Sequence, residues 1–321
     1  MIVQARELTI QGDQFLLDGK PFKPWGIRVA SASQTEEDTR HLIEQLDEYL
    51  AHGVNAITVF YQGSSGGYSN PFSADGKQID PGHQKRMEEI IQAAAARKMM
   101  VIVGVFYQRA AVPFKDKDAV REVLRTVTRS LIPYRNLIIN IANEQNSKSY
   151  QKMSLIWDVS DPQTIIELCK VVHEVDPKRL VGGGGYKHEL NEIIGLSDAV
   201  DVLLFDTDRT NPGSDELYAR FRAAGITGKP IVNVETFGGW TKQFLPQGVF
   251  SDQVKDAYFA EIEAASRCPG LSVFFHNNPW CQGLAQGLLR RYDLGGQGTE
   301  SDPGMRWYFE RVRTTAKSPS H

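Results

Sequence analysis

Two glutamates stand where a folded chain would place chemistry. The stretch "NLIINIANEQN", residues 136–146, runs uncharged from Leu137 to Ala142 with Asn140 as its one polar residue, and then Asn143 and Glu144 arrive together. "PIVNVETFGGW", residues 230–240, repeats the arrangement and delivers Glu235. A strand that is apolar along its whole length is buried, and a carboxylate at its exit sits at the border of the core, a costly position for a charge without a task. Two carboxylates held face to face can share the work of cleaving a glycosidic bond. One protonates the leaving oxygen while the other attacks the anomeric carbon, if they stand about 5–5.5 Å apart; a gap of roughly 6.5–9.5 Å would admit a water and invert the configuration.

The elements that could bring them together repeat along the chain. Strand-like runs occur at "PWGIRVA" (24–30), "NAITVFY" (55–61), "MMVIVGVFY" (99–107), "NLIINIA" (136–142), "RLVGGG" (179–184), "DVLLFD" (201–206), "PIVNVE" (230–235) and "LSVFFH" (271–276). Between them lie segments of helical spacing, such as "EEDTRHLIEQLDEYLAHG", where Leu42, Ile43, Leu46, Tyr49 and Leu50 form one apolar face and Gly53 supplies a stop. "PGHQKRMEEIIQAAAARK", "DAVREVLRTVTRSLI", "DPQTIIELCKVVHEVD", "SDELYARFRAAG" and "SDQVKDAYFAEIEAASR" behave alike, with Ser-Asp and Asp-Pro starts suited to N-caps. A short helix around "NEIIGL" and a last one over "GMRWYFERVRTTAK" complete the series. Apolar strands alternating with helices mean a covered parallel sheet. Eight units without a G-x-G-x-x-G turn after the first strand fit a closed (β/α)8 TIM barrel better than an open doubly wound sheet. "RELTIQ" and "QFLLDGKPF", joined at Gly12-Asp13, read as a short N-terminal β-hairpin within residues 1–22 that plugs the barrel floor. In such a barrel the C-terminal strand ends converge on one site, so Glu144 after strand four and Glu235 at the end of strand seven face the same mouth.

Composition narrows the partners. Hydrophobic residues make up 41% and charged residues 23% of the 321, with no Pro/Ser-rich or single-charge run to divide the chain, so one catalytic domain over 1–321 is the simplest reading, with a frayed tail at 314–321. A net charge of −3 argues against a nucleic-acid backbone as partner. Cys169, Cys268 and Cys281 are odd in number and lack a C-x-x-C pair, which suggests free thiols rather than a disulfide framework or a zinc site. No run approaches a membrane span and "MIVQARELTIQGDQ" is no signal peptide, so the expected location is cytoplasmic, or secreted or periplasmic if a leader has been removed.

With these residues in view the chain resembles a clan A glycoside hydrolase, nearest in style to the family 5 cellulase-like and mannanase-like enzymes. The residues that carry the resemblance are "DGKPFKPWGIR" (18–28), "GVNAITVF" (53–60), "IANE" (141–144) and "VNVET" (232–236); the layout matches over nearly the whole chain, and the two Glu motifs are its specific part. The resemblance implies that Glu144 is the acid/base, with Asn143 beside it for a sugar hydroxyl, and Glu235 the nucleophile of a retaining double displacement on a β-linked oligo- or polysaccharide, with no cofactor. The chain departs from the family at three places. An arginine is expected at the end of strand two, where Thr58 stands; a histidine after strand three, where Tyr107 and Gln108 stand; and a His or Tyr near strand six, where "FDTDR" stands. Arg28, at the end of strand one, is the candidate to restore a positive charge beside Glu235.

Further candidates for substrate contact are His276 and Trp280 in "FFHNNPWCQG", where strand eight of the family delivers a tryptophan floor, then Trp240, Tyr61, Tyr68 and Phe72 as stacking surfaces, and Tyr107. Asp206 and Asp208 suit sugar hydroxyls, or pairing with Arg209, better than a metal, since no histidine stands near them. "VGGGGYKHE" lacks the Gly-Lys-Ser/Thr ending of a phosphate loop; its glycines let a strand pass close to its neighbours, with Tyr186 and His188 flanking the mouth. Two rival classes remain. A metal-dependent sugar-processing barrel would need His/Asp/Glu ligands at strands one to three, which offer none. A non-catalytic carbohydrate-binding barrel would lose one Glu. The sequence leaves open the sugar, its linkage, endo or exo action, and the oligomeric state.

Overall fold

The computed structural model describes residues 6–64, 69–108, 114–150, 153, 156–208, 212–239, 248–276 and 292–316. It begins with three short antiparallel strands, β1 (Leu8–Gln11), β2 (Gln14–Leu17) and β3 (Lys20–Phe22), paired in that order. The expected hairpin therefore has a third strand. "QFLLDGKPF" folds back at Asp18-Gly19, both at positive φ (53° and 74°), and an Asp-Gly pair between apolar residues is itself a tight-turn signal. Leu8, Phe15 and Leu17 of this sheet pack against Ala56, Met100, Ile102, Ile138, Val202 and Val232, which lie near the starts of barrel strands, so the sheet covers the floor as expected.

Eight parallel strands follow and close into a barrel: β4 (Trp25–Arg28), β5 (Ala56–Phe60), β6 (Met100–Phe106), β7 (Leu137–Ala142), β8 (Leu180–Gly183), β9 (Val202–Asp206), β10 (Ile231–Glu235) and β11 (Leu271–Phe275). β11 pairs with β4 to close the ring. The helices are α1 (Glu36–Ala51), α2 (Pro81–Ala96), α3 (Lys117–Leu131), α4 (Pro162–Val175), α5 (His188–Gly195), α6 (Ser214–Ala223), α7 (Asp252–Arg267) and α8 (Arg306–Ala316). Side chains of Thr35, Asp80, Asp116, Asp161 and Ser251 accept a backbone N–H in the first turns of α1, α2, α3, α4 and α7, satisfying donors that a helix start leaves open. At α6 the Ser-Asp start behaves differently: Gly213 is the cap residue and Ser214 is already helical.

Alternation along each strand sorts the side chains. Leu137, Ile139 and Ile141 of β7, and Leu203 and Phe205 of β9, join the layer between sheet and helices, while Ile138, Val202 and Leu204 point into the barrel. Two glycines make room for interior rings. A Cβ at Gly26 would lie 2.1 Å from the Phe274 ring, and one at Gly104 would lie 2.0 Å from that of Phe60. On β8 and just past its end, Cβ atoms at Gly182 and Gly184 would strike the backbone oxygens of Val202 and Leu204 at 2.1 and 1.6 Å, so these glycines allow the close strand approach read from "VGGGG". Cys169 and Cys268 are free thiols; Cys281 lies outside the described residues.

Candidate active site

Glu235 reaches the mouth through an irregularity in its strand. β9 and β10 run in step at Asn233 opposite Phe205, but the next pair is Glu235 opposite Asp206, so Val234 is one residue extra. Strict alternation would send residue 235 outward with Ile231 and Asn233. The bulge instead leaves Val232 and Val234 in the interior cluster and sets Glu235 on the same side as Asp206, which follows Val202 and Leu204 on the inner face. Glu144 is aimed differently. It stands two residues beyond β7 with φ at 39°, a left-handed conformation that a non-glycine residue holds only at a cost of about 1 kcal/mol or more.

Between the two acids runs a continuous set of polar contacts. Arg28 is fully buried; its Nη1 lies 3.3 Å from Glu235 Oε2, and its Nη2 donates to Asn143 Oδ1 at 2.8 Å. Asn143 Nδ2 donates to Gln108 Oε1 at 3.0 Å, and Gln108 Nε2 donates to Glu144 Oε2 in a short contact. Tyr150, buried below, donates its hydroxyl to Asn143 O at 2.6 Å and fixes the backbone before Glu144. On the other flank, His276 Nδ1 approaches Glu235 Oε1 to 3.0 Å. The Arg28 guanidinium stands 4.9 Å from the centre of the Phe60 ring, an arrangement worth about 2 kcal/mol in a desolvated setting. Arg28 pairs in register with Thr58, so the cation expected from the second barrel strand comes from the first, one strand across.

A third carboxylate shares this space. Asp206 is 2% exposed, and one of its oxygens has no hydrogen-bond partner among the described residues. Burial, reinforced by the charges of Glu235 and Glu144, holds its carboxyl well above the ordinary carboxylate range, against the pull of Arg28 and of the Glu144 backbone N–H. A neutral carboxylic acid can occupy this position beside two other acids; among the described residues a third charge there would have the Arg28 guanidinium alone to balance it.

Other candidates fall in different places. Tyr107, 7% exposed, packs edge-on against Phe60 at the barrel mouth, and its backbone N–H donates to Gln62. Tyr61 is not a stacking surface. It points outward from β5 into the helix layer, fully buried against Phe72 and His83, with its hydroxyl donating to Gln84 Oε1 at 2.8 Å. Alternation explains this, since Phe60 faces in and Tyr61 must face out. Phe72 joins the same core. His188 does not flank the mouth either; it is buried between Phe205 and Phe221 behind the sheet. Tyr186 is half-buried near Glu144, and burial with that charge raises its phenol. Trp240, Trp280, Tyr68 and Arg209 lie outside the described residues. Sequence reasoning passed over Gln108, which joins Asn143 to Glu144; its signal was its place just past the end of the third barrel strand, where the resemblance called for a histidine.

No protein-family model and no curated protein matches the chain. Solved structures do. A structure proposed to be a glycoside hydrolase from Bacteroides vulgatus is 14% identical with a TM-score of 0.65, covering 99% of this chain and 63% of its own, so the present chain spans under two thirds of that protein. The endo-1,4-β-mannanase of Rhizomucor miehei is 17% identical with a TM-score of 0.61 over 84% of this chain and 90% of its own. A β-glucanase from Saccharophagus degradans, solved with cellotetraose, is 14% identical with a TM-score of 0.61 over 98% and 95%. The likeness is one of architecture: the chain carries the (β/α)8 barrel of these glycoside hydrolases.

Proposed function

We propose that the protein is a retaining glycoside hydrolase acting on β-linked oligo- or polysaccharides, with Glu235 as nucleophile and Glu144 as acid/base. The observation that carries the assignment is the asymmetry of their surroundings. Glu235 lies against a buried guanidinium and an imidazole, which favour a carboxylate that stays ionised and ready to attack. Glu144 accepts from the amide of Gln108 and lies close enough to the buried Asp206 for the two carboxyls to repel one another when charged, an environment in which a carboxyl can hold and release a proton.

In the first step the Glu144 carboxylic acid gives its proton to the glycosidic oxygen as the bond to the anomeric carbon breaks, and a Glu235 oxygen forms an ester with that carbon. In the second, Glu144, now a carboxylate, takes a proton from water whose oxygen attacks the same carbon, and Glu235 leaves ionised. The proton has returned to Glu144 and the configuration is retained. Arg28 and His276 hold Glu235 before and after the ester, while Asn143, Asp206 and Tyr107 stand where sugar hydroxyls would be bound. The likeness to a mannanase and a glucanase supports a β-linked hexose polymer as substrate.

The deciding experiment is proton NMR of the first sugar released from an aryl β-glycoside or β-oligosaccharide that the enzyme cleaves. The β-anomer is expected at early times; initial release of the α-anomer would rule out double displacement.

A further inference from the structure

The bulge that aims Glu235 is held by a side chain of its own strand. Asn233, fully buried, accepts the Glu235 backbone N–H on its Oδ1 at 3.2 Å, a bond that spans Val234. The amide's other end donates to Thr207 Oγ1 at 3.0 Å and to Ser214 Oγ at 2.9 Å. Thr207 then accepts the Phe237 backbone N–H at 3.3 Å, and the Thr207 N–H donates to Glu235 O at 3.1 Å, so the chain on both sides of the acid is tied to the end of β9.

Ser214 continues the line outward. Its hydroxyl and its backbone N–H both donate to the carboxyl of Glu261, which sits on α7 and is 4% exposed. A buried carboxyl outside the reaction centre needs a reason, and part of it is local. Gly213 offers α6 no side-chain cap, and Glu261 supplies the missing acceptor from the neighbouring helix. That role explains the bond to the Ser214 N–H. It does not explain why the Ser214 hydroxyl also accepts a hydrogen bond from the Asn233 amide, and thereby connects the cap to the bulge.

We propose that Asn233, Ser214 and Glu261 form a positioning relay that locks the β10 bulge and so fixes the direction in which the Glu235 carboxylate meets the anomeric carbon. The relay rests on the reading of Glu235 as nucleophile. It contacts that residue through the main chain alone, so it governs the angle of attack and leaves the charge and the sugar contacts of the site unchanged. A displacement near 1 Å at a reacting atom is enough to cost about 10²-fold in rate.

The test follows the covalent step directly, by time-dependent inactivation with 2-deoxy-2-fluoro-β-cellobiosyl fluoride and its β-mannobiosyl counterpart, with mass spectrometry locating the label. Asn233→Ala is expected to lower the inactivation rate constant at least about tenfold with little change in the inhibitor concentration giving half-maximal rate. Ser214→Ala leaves the Glu261 cap on the backbone N–H in place and still slows labelling, Ser214→Thr restores it, and Glu261→Gln, which keeps an acceptor, slows it less than Ser214→Ala. Should Asn233→Ala not fold, the Ser214 pair carries the test. Labelling of Ser214→Ala at the wild-type rate, or a fall in melting temperature without a fall in the rate constant, overturns the relay. Wild-type enzyme that carries no label on Glu235 overturns the nucleophile reading itself, and the relay with it.

Discussion

The two acids reach one mouth by opposite routes. Glu144 lies beyond its strand, where a single residue in left-handed backbone turns it toward the site, and its amide neighbours Asn143 and Gln108 carry no charge. Glu235 lies inside the sheet, re-aimed by an extra residue that Asn233 holds, and its neighbours are a guanidinium and an imidazole. The difference matches two jobs. A proton carrier gains from a setting that tolerates both of its states, here an amide donor and a nearby acid, whereas a nucleophile gains from a fixed direction and a neighbouring cation.

The largest effects should come from erasing the difference at the acids themselves. Glu235→Gln is expected to lose at least about 10³-fold in turnover, a little over 4 kcal/mol of barrier, on every substrate. Glu144→Ala should lose as much on natural glycosides but less on an aryl glycoside whose leaving group needs little protonation, and azide should restore its second step with formation of a glycosyl azide. Wild-type-like rates for Glu235→Gln on an activated substrate would end the nucleophile assignment.

Removing the cation comes next. Arg28→Met leaves Glu235 buried without the guanidinium, and breaking such a pair costs about 3–5 kcal/mol of stability. Turnover should fall by about 10²-fold, and denaturant titration should show the midpoint lowered; an unchanged midpoint would mean that the pair contributes little to the fold.

Asp206 tests the comparison through pH. Because burial and two acidic neighbours raise its pKa in the folded state, its contribution to stability is complete below about pH 4, the unfolded value, and is lost as pH rises toward the folded one. Asp206→Asn cannot ionise, so it should melt higher than wild type near pH 7, with the two curves converging in acid. The basic limb of kcat/KM, set by loss of the Glu144 proton, should also move downward in the variant, since no neighbouring negative charge then helps to hold that proton. Equal melting temperatures across this range would show Asp206 to be unstrained. The smallest effect belongs to the backbone at residue 144. Glu144→Gly should be inactive yet more stable than Glu144→Ala by about 1 kcal/mol, as glycine accepts the left-handed conformation freely.

Much of this was legible in the chain. Apolar runs located all eight barrel strands to within one or two residues at each end, since a parallel strand buried on both faces leaves little freedom in its residue types. The strand ends located both acids. What could not be read was side-chain direction at irregular points. Periodicity alone turns residue 235 outward, and only the bulge corrects it. Tyr61 shows the converse: the Gly/Ser-rich loop it precedes suggests a binding aromatic, whereas alternation against Phe60, the last residue of β5, puts it in the helix layer. Gln108 escaped because its role comes from an amide that donates at one end and accepts at the other, a capacity no spacing reveals. The cation shifted by one strand was within reach, because Arg28 ends a neighbouring run.

The missing side chain at Gly104 reaches further than its own neighbours would suggest. Its absence admits the Phe60 ring, and on that ring stands the guanidinium beside Glu235. Residues 104, 60 and 28 are thus one packed unit. A drifting lineage that acquires alanine at 104 must shrink or shift residue 60 to accommodate it, and the cation loses its footing unless a further change restores it. A substitution at residue 104 would therefore act on the site through two packed neighbours without touching either acid.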